Sequence, residues 1–195
     1  MRLFIALDLD DAIRERIVRF LEGVRGFAPE ARWVRPESLH VTLKFVGQWP
    51  DDKLAEMQQG LKNIRSERFE LNVSDYGFFP TAKAPRVFWI GIQAGPQLAA
   101  LAAAIDAQTA SLGVAREEHP FSPHLTLARR VGGSGSPRKN KDDHPNPTFA
   151  RLKERLGAMS KLDFGSMTAR QFFLYQSELS PHGSQYTKLS AFPLT

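Results

Sequence analysis

Apolar positions along the chain recur with two periods. Residues 2–9 are mostly apolar and predict a buried strand. Ile13, Ile17, Leu21 and Val24 then follow at helical spacing, with Asp10 and Asp11 as N-cap candidates and Gly26 as a stop. Trp33-Val34 predicts a short strand, 39–46 a longer one, and 47–50 a turn. Leu54, Met57, Leu61 and Ile64 predict the inner face of a second helix, capped by Asp51 and Asp52. Phe69, Leu71 and Val73 alternate through a strand predicted over 68–74, and 77–85 reads as a loop. Residues 86–93 predict a strand like the first. Pro96 opens a third helix lined by Leu98, Leu101, Ile105 and Leu112 and ended by Gly113. A strand over 124–130 follows. Pro147 opens a fourth helix with Phe149, Leu152, Leu156 and Met159 inward, and strands over 168–176 and 185–192, joined by a turn at 180–183, close the chain.

The order strand, helix, strand, helix, strand is thus given twice. The stretch Leu39-His40-Val41-Thr42-Leu43 returns as Pro123-His124-Leu125-Thr126-Leu127, 84 residues later. The same offset places Arg2 on Arg86, Phe4 on Phe88, Arg32 on Arg116, Pro36 on Pro120 and Ser38 on Ser122, and Ile17 and Leu21 on Leu101 and Ile105. This pattern reads as an internal duplication. The expected fold is α+β, one domain over 1–195. It would comprise two similar lobes of antiparallel sheet with outer helices, related by a pseudo-two-fold axis about a central cleft. Residues 132–147, rich in Gly, Ser and basic side chains, break the repeat and read as a surface insertion. It is either a basic flap over an anionic substrate or a solvated loop.

At 195 residues, roughly 70% of the unfolded chain's surface can be buried, which suffices for a full core. The absence of cysteine excludes disulfides, thiolate metal sites and cysteine nucleophiles. With no membrane-length apolar run and no signal-peptide pattern, a cytoplasmic protein is expected, with no membrane partner. The net charge of +5 favours anionic partners such as nucleic acid or phosphate esters, although mild basicity also serves solubility.

The candidate chemistry lies in the repeated motif. Side chains at i and i+2 share one face of a strand, so each motif offers one imidazole and one hydroxyl to the same side of a sheet. Threonine fills eight of the 195 positions, so two His-x-Thr placements in matching register are poorly explained by chance. Two imidazoles facing one cleft can work as general acid and general base near neutral pH. Around a phosphodiester, Thr42 and Thr126 would donate hydrogen bonds to phosphate oxygens as charge develops. Arg129 is a phosphate-gripping candidate. Its parity is odd relative to His124, so a bulge or the strand's exit must re-aim it. Phe45 stands at the equivalent place in the first half, where it either packs or stacks on a base. No metal site and no cofactor are expected: His119 and His124 lack accompanying carboxylates, and no Gly-rich phosphate loop precedes a helix.

These residues resemble the two-histidine (2H) phosphoesterase superfamily, and within it the RNA 2′,3′-cyclic phosphodiesterases, also known as 2′-5′ RNA ligases. The resemblance is carried by residues 38–47 (SLHVTLKFVG) and 122–129 (SPHLTLAR), with further similarity at 2–6 and 174–179. It spans nearly the whole chain apart from 132–147. It implies a two-lobed α+β fold and metal-independent hydrolysis of an RNA 2′,3′-cyclic phosphate, or a small cyclic nucleotide, to a 2′-phosphate. It further implies His40 as proton donor to the leaving 3′ oxygen, His124 as the acceptor that activates water, and Thr42, Thr126 and Arg129 as phosphate ligands. A monomer is expected. The alternatives are 2′-5′ RNA ligation by the same groups, a non-catalytic RNA-end or nucleotide-binding module, and a structural protein whose histidines merely pack.

Overall fold

The computed structural model describes residues 1–131, 147–180 and 183–195. The insertion expected over 132–147 therefore lies outside the described residues except for Pro147, as do the middle of the 180–183 turn, His144 and His182.

The strands are β1 (Arg2–Leu7), β2 (Ala31–Trp33), β3 (Val41–Gln48), β4 (Phe69–Phe79), β5 (Val87–Ala94), β6 (His124–Arg130), β7 (Asp163–Ala169), β8 (Gln171–Ser180) and β9 (Gly183–Pro193). The helices are α1 (Asp11–Val24), α2 (Leu54–Lys62), α3 (Pro96–Ser111) and α4 (Ala150–Gly157). They build two antiparallel sheets, ordered β3-β1-β8-β9 and β2-β6-β5-β4-β7. Each sheet thus sets a His-Thr strand beside an apolar partner strand, β3 on β1 and β6 on β5. The α+β fold of two similar lobes holds. β4 comes from the first half of the chain but lies in the second motif's sheet, so the lobes are not consecutive halves.

One hydrophobic core unites the two sheets. Leu3, Ile5 and Leu7 of β1 and Phe88, Ile90 and Ile92 of β5 point into it, with Ile13, Ile17 and Leu21 of α1 and Leu98, Leu101 and Ile105 of α3. Alternation along β1 and β5 leaves the other face of each sheet to the cleft. Among the described residues, no helix is long and apolar enough to cross a membrane.

The structure corrects several local expectations. Asp10 occupies the N-cap position of α1, yet its side chain makes no capping hydrogen bond. The 51–53 segment is a short 3₁₀ turn ahead of α2, and 147–149 another ahead of α4. β4 continues through Phe79, so the loop expected at 77 begins later. Asp75-Tyr76-Gly77 has the composition of a turn, but Asp75 takes φ 63° as a bulge and its N–H bonds the carbonyl of Leu162 at 2.9 Å. β7 falls where no separate strand is expected, because Gly165, at φ 98°, interrupts its apolar alternation. A side chain at Gly165 would meet the Arg16 guanidinium at 2.3 Å, and that guanidinium ties α1 to β7 through the Phe164 carbonyl at 2.9 Å.

The offset of 84 does not hold in the first strands. Thr42 pairs with Ala6, and Thr126 pairs with Trp89, so Ala6 and Trp89 are equivalent at an offset of 83. A one-residue slip exchanges the faces of a strand. Phe4 accordingly faces the cleft while Phe88 lies in the core.

Candidate active site

A bulge in each motif strand decides which side chains reach the cleft. Along β3, Thr42 opposes Ala6, Lys44 opposes Ile5 and Phe45 opposes Phe4, leaving Leu43 as the extra residue. Along β6, Thr126 opposes Trp89, Ala128 opposes Phe88 and Arg129 opposes Val87, leaving Leu127 extra. Leu43 and Leu127 occupy the same place in their motifs. Each extra residue lets two neighbours point inward together, Leu43 with Lys44 and Leu127 with Ala128, all of them buried. The next side chain then turns out to the cleft. Arg129 and Phe45 thereby join the His-Thr faces despite their odd parity.

Both histidines are held in the same way. His40 Nδ1 lies 2.7 Å from the Ser38 carbonyl, and His124 Nδ1 lies 2.7 Å from the Ser122 carbonyl. A carbonyl oxygen only accepts, so each Nδ1 carries the hydrogen and donates it. That leaves Nε2 as the titrating nitrogen of each ring, the one free to take or give a proton.

Aromatic walls stand behind the two rings. Phe4 and Tyr175 stack with centroids 4.9 Å apart, and Tyr186 meets Phe4 edge-on at 5.0 Å. His40 lies 4.7 Å from Phe4 and 5.2 Å from Tyr186. In the other lobe, His124 meets Phe79 edge-on at 5.0 Å, and Phe79 stacks on Trp89 at 5.1 Å. Gly77 makes room for this stack, since a Cβ there would come within 2.1 Å of the Trp89 ring. None of these aromatics is a site candidate on the sequence alone. Their cleft-facing positions become visible only once the strand register is known.

Burial pulls the His40 pKa down from 6.5 to about 4. The carbonyl bond to Ser38 and the carboxylate of Asp8 favour its charged form, while Arg129 and His124 disfavour it. The His124 pKa is also lowered, by burial first and by Arg129, against the bond to Ser122. Both rings are therefore neutral at pH 7 in the free protein. The charges of Arg129 and His124 reach His40, and Tyr186 of the first sheet acts on Arg129 of the second, so the two motifs face one cleft. Arg129 Nη2 reaches Thr126 Oγ1 at 3.5 Å. Phe45 is 58% exposed, its ring 6.4 Å from that of Phe4.

Two charged clusters frame the site. Lys188 and Arg14 pair with Asp8, and Lys188 also lies 4.3 Å above the Phe173 ring. Burial opposes ionisation of Asp8, but the Lys188 hydrogen bond and its other partners prevail and hold its pKa below the usual carboxylate value. Behind β3, the buried Lys44 Nζ donates to Asp106 Oδ1 at 2.6 Å and to the Ala115 carbonyl at 2.7 Å, with Glu117 at 3.3 Å. This ties the first motif strand to the segment leading into the second.

A family model for LigT-like phosphoesterases matches residues 7–89 and again 90–186. The chain belongs to the LigT-like phosphoesterase family. It is 35% identical over 192 residues to an RNA 2′,3′-cyclic phosphodiesterase of Archaeoglobus fulgidus, covering 98% of this chain and 99% of that protein. It is 31% identical over 196 residues to the Escherichia coli RNA 2′,3′-cyclic phosphodiesterase, covering 100% of this chain and 97% of that one. Among solved structures, E. coli LigT complexed with 3′-AMP superposes with a TM-score of 0.76 at 28% identity, covering 100% of this chain and 98% of the other. A Thermus thermophilus protein superposes with a TM-score of 0.77 at 28% identity and the same coverage. The family likeness thus spans both His-Thr motifs and both sheets of this LigT-like phosphoesterase.

Proposed function

We propose that the protein is a hydrolase that opens RNA 2′,3′-cyclic phosphate ends to 2′-phosphates by two-histidine acid–base catalysis, without metal or cofactor. The single observation that carries this reading is the matched pair of imidazoles. Each has its Nδ1 committed to a backbone carbonyl and its Nε2 available, and the two stand within each other's electrostatic reach. The relatives named RNA 2′,3′-cyclic phosphodiesterase, matched over essentially their full length, support the same substrate class.

In the proposed reaction, a water attacks phosphorus opposite the 3′ oxygen, and neutral His124 Nε2 takes its proton. The P–O3′ bond breaks, and His40 Nε2–H gives its proton to the departing O3′. The products are a 2′-phosphate and a 3′-hydroxyl. Thr42 and Thr126 hydroxyls and the Arg129 fork hold the non-bridging oxygens, where charge builds in the transition state. Phe45 stacks against the terminal base.

Assigning His40 as the acid requires it to be protonated, although its pKa in the free protein is about 4. Among the described residues, it alone of the two rings has a carboxylate, Asp8, whose charge favours the imidazolium. A bound phosphodiester adds a second negative charge and draws a proton onto the ring. Substrate binding then brings in its own acid, and because burial disfavours the imidazolium, that ring releases its proton readily to O3′ as charge builds there. Both motifs sit over one core on one chain, so a single bilobal domain working as a monomer suffices, and a cytoplasmic location belongs to the same proposal.

The test is end-group analysis of an oligonucleotide ending in a 2′,3′-cyclic phosphate, incubated with the protein in excess chelator. A 2′-phosphate product supports the reading. An unchanged end, a 3′-phosphate or a 2′-5′ linked dimer contradicts it.

A further inference from the structure

β2 is a three-residue edge strand whose side chains divide cleanly between two faces. Ala31 is buried, and Trp33 packs edge-on against Phe88 in the core at 6.0 Å. Arg32, between them, must therefore point to the opposite face, the cleft face. Its direct cross-strand partner is Arg129 of β6. Directly opposed residues share a face with Cβ atoms about 5 Å apart, and like charges so placed repel. Among the described residues neither guanidinium has a carboxylate within ion-pair distance. An anion set between or beside them would relieve the repulsion.

The direction in which the pair leads out of the site is informative. His124, Thr126 and Arg129 run along β6, and β2 lies one strand further out, at the free edge of the sheet. One phosphate held by Thr126 and Arg129 leaves Arg32 for a neighbour, and on a nucleic-acid strand the neighbouring phosphate is one ribose away.

We propose that Arg32, directly opposite Arg129, forms a second phosphate subsite that takes the phosphodiester joining the last two nucleotides. This rests on the proposed reaction at an RNA end and adds its substrate preference: the protein favours oligonucleotide ends over cyclic mononucleotides. Arg32 is a specificity-determining residue that makes no contact with the reacting atoms.

Binding reads this subsite without turnover. A trinucleotide with a 2′-phosphate end and a 2′-mononucleotide are titrated at several salt concentrations against the wild-type protein, R32Q and R32K. The expected result is an affinity ratio of trinucleotide to mononucleotide that falls about tenfold in R32Q, the size of one charge-assisted phosphate contact. The salt slope for the trinucleotide should fall by about 0.7 in R32Q and be largely kept in R32K. An unchanged ratio, or an equal loss for both ligands, overturns the subsite. Should the wild type show the ratio effect but fail to open a cyclic phosphate, the subsite stands and the proposed reaction falls; turnover with an unaffected ratio gives the converse.

Discussion

β3 and β6 carry the same bulge, the same His-to-carbonyl bond and the same threonine, yet Phe45 stands on one where Arg129 stands on the other. Inside, Lys44 lies where β6 has Ala128. The parts that position an imidazole Nε2 and a hydroxyl are common to both lobes, and the parts proposed to grip phosphate or meet a base differ, as does the residue that braces the interior. The backbone bulge is what permits this. It turns the residue after it out to the cleft whatever that residue is, so each lobe places a different group at one geometric position.

The largest effects should come from the shared parts. His40→Ala and His124→Ala should each lower kcat at least about a hundredfold on a cyclic-phosphate substrate. Because the two rings act as a unit, the double variant should fall well short of the product of the single losses. Full additivity would mean that the two act in separate steps or sites. Next comes the divergent pair. Arg129→Ala should cut kcat by about a hundredfold, as loss of a donor to developing charge does. Phe45→Ala should instead raise KM for a nucleotide substrate by about tenfold with kcat nearly kept, since stacking serves ground and transition states alike. Equal kinetic signatures for the two substitutions would dissolve the division of labour.

The interior difference is a stability effect. Lys44→Met leaves Asp106 without its main partner, while Ala128 has no charge to lose. Urea denaturation should show a loss of about 3 kcal/mol for Lys44→Met, at the low end for a broken buried pair because Asp106 and Glu117 keep access to water. A smaller effect, visible in the same denaturation series, concerns acid. The folded protein resists protonating His40 until about pH 4, whereas the unfolded chain binds that proton near pH 6.5. The unfolded state therefore gains protons first, and stability should decline as pH falls from about 6.5 to 4, by at most about 3 kcal/mol. His40→Phe should flatten that decline.

Much of this was legible in the sequence. The periodicities of Ile13, Ile17 and Leu21 and of Leu98, Leu101 and Ile105 disclosed α1 and α3, and the repeated His-x-Thr marked the candidate site. The odd parity of Arg129 called for a bulge or the strand's exit to re-aim it, and the bulge at Leu127 is what does so. What stayed hidden was whatever depends on cross-strand register. Phe4 and Phe88 look equivalent at the offset of the motifs, but their strands are related by one residue less and they face opposite ways. For the same reason, the cleft positions of Trp89, Phe79 and Tyr186 could not be read from spacing. β7 and the far end of β4 were obscured by Gly165 and Asp75, whose left-handed backbone mimics a turn within a continuous strand. Asp8, whose charge distinguishes His40 from His124, lies more than thirty residues from its target in the chain.

The central claim is that the imidazoles of His40 and His124 give and take protons at one phosphorus. The pH dependence of kcat for the wild type and both alanine variants tests it most directly. A bell-shaped profile is predicted, with the limb that falls at high pH lost in His40→Ala and the limb that falls at low pH lost in His124→Ala. A flat wild-type profile, or both limbs surviving in either variant, would contradict it.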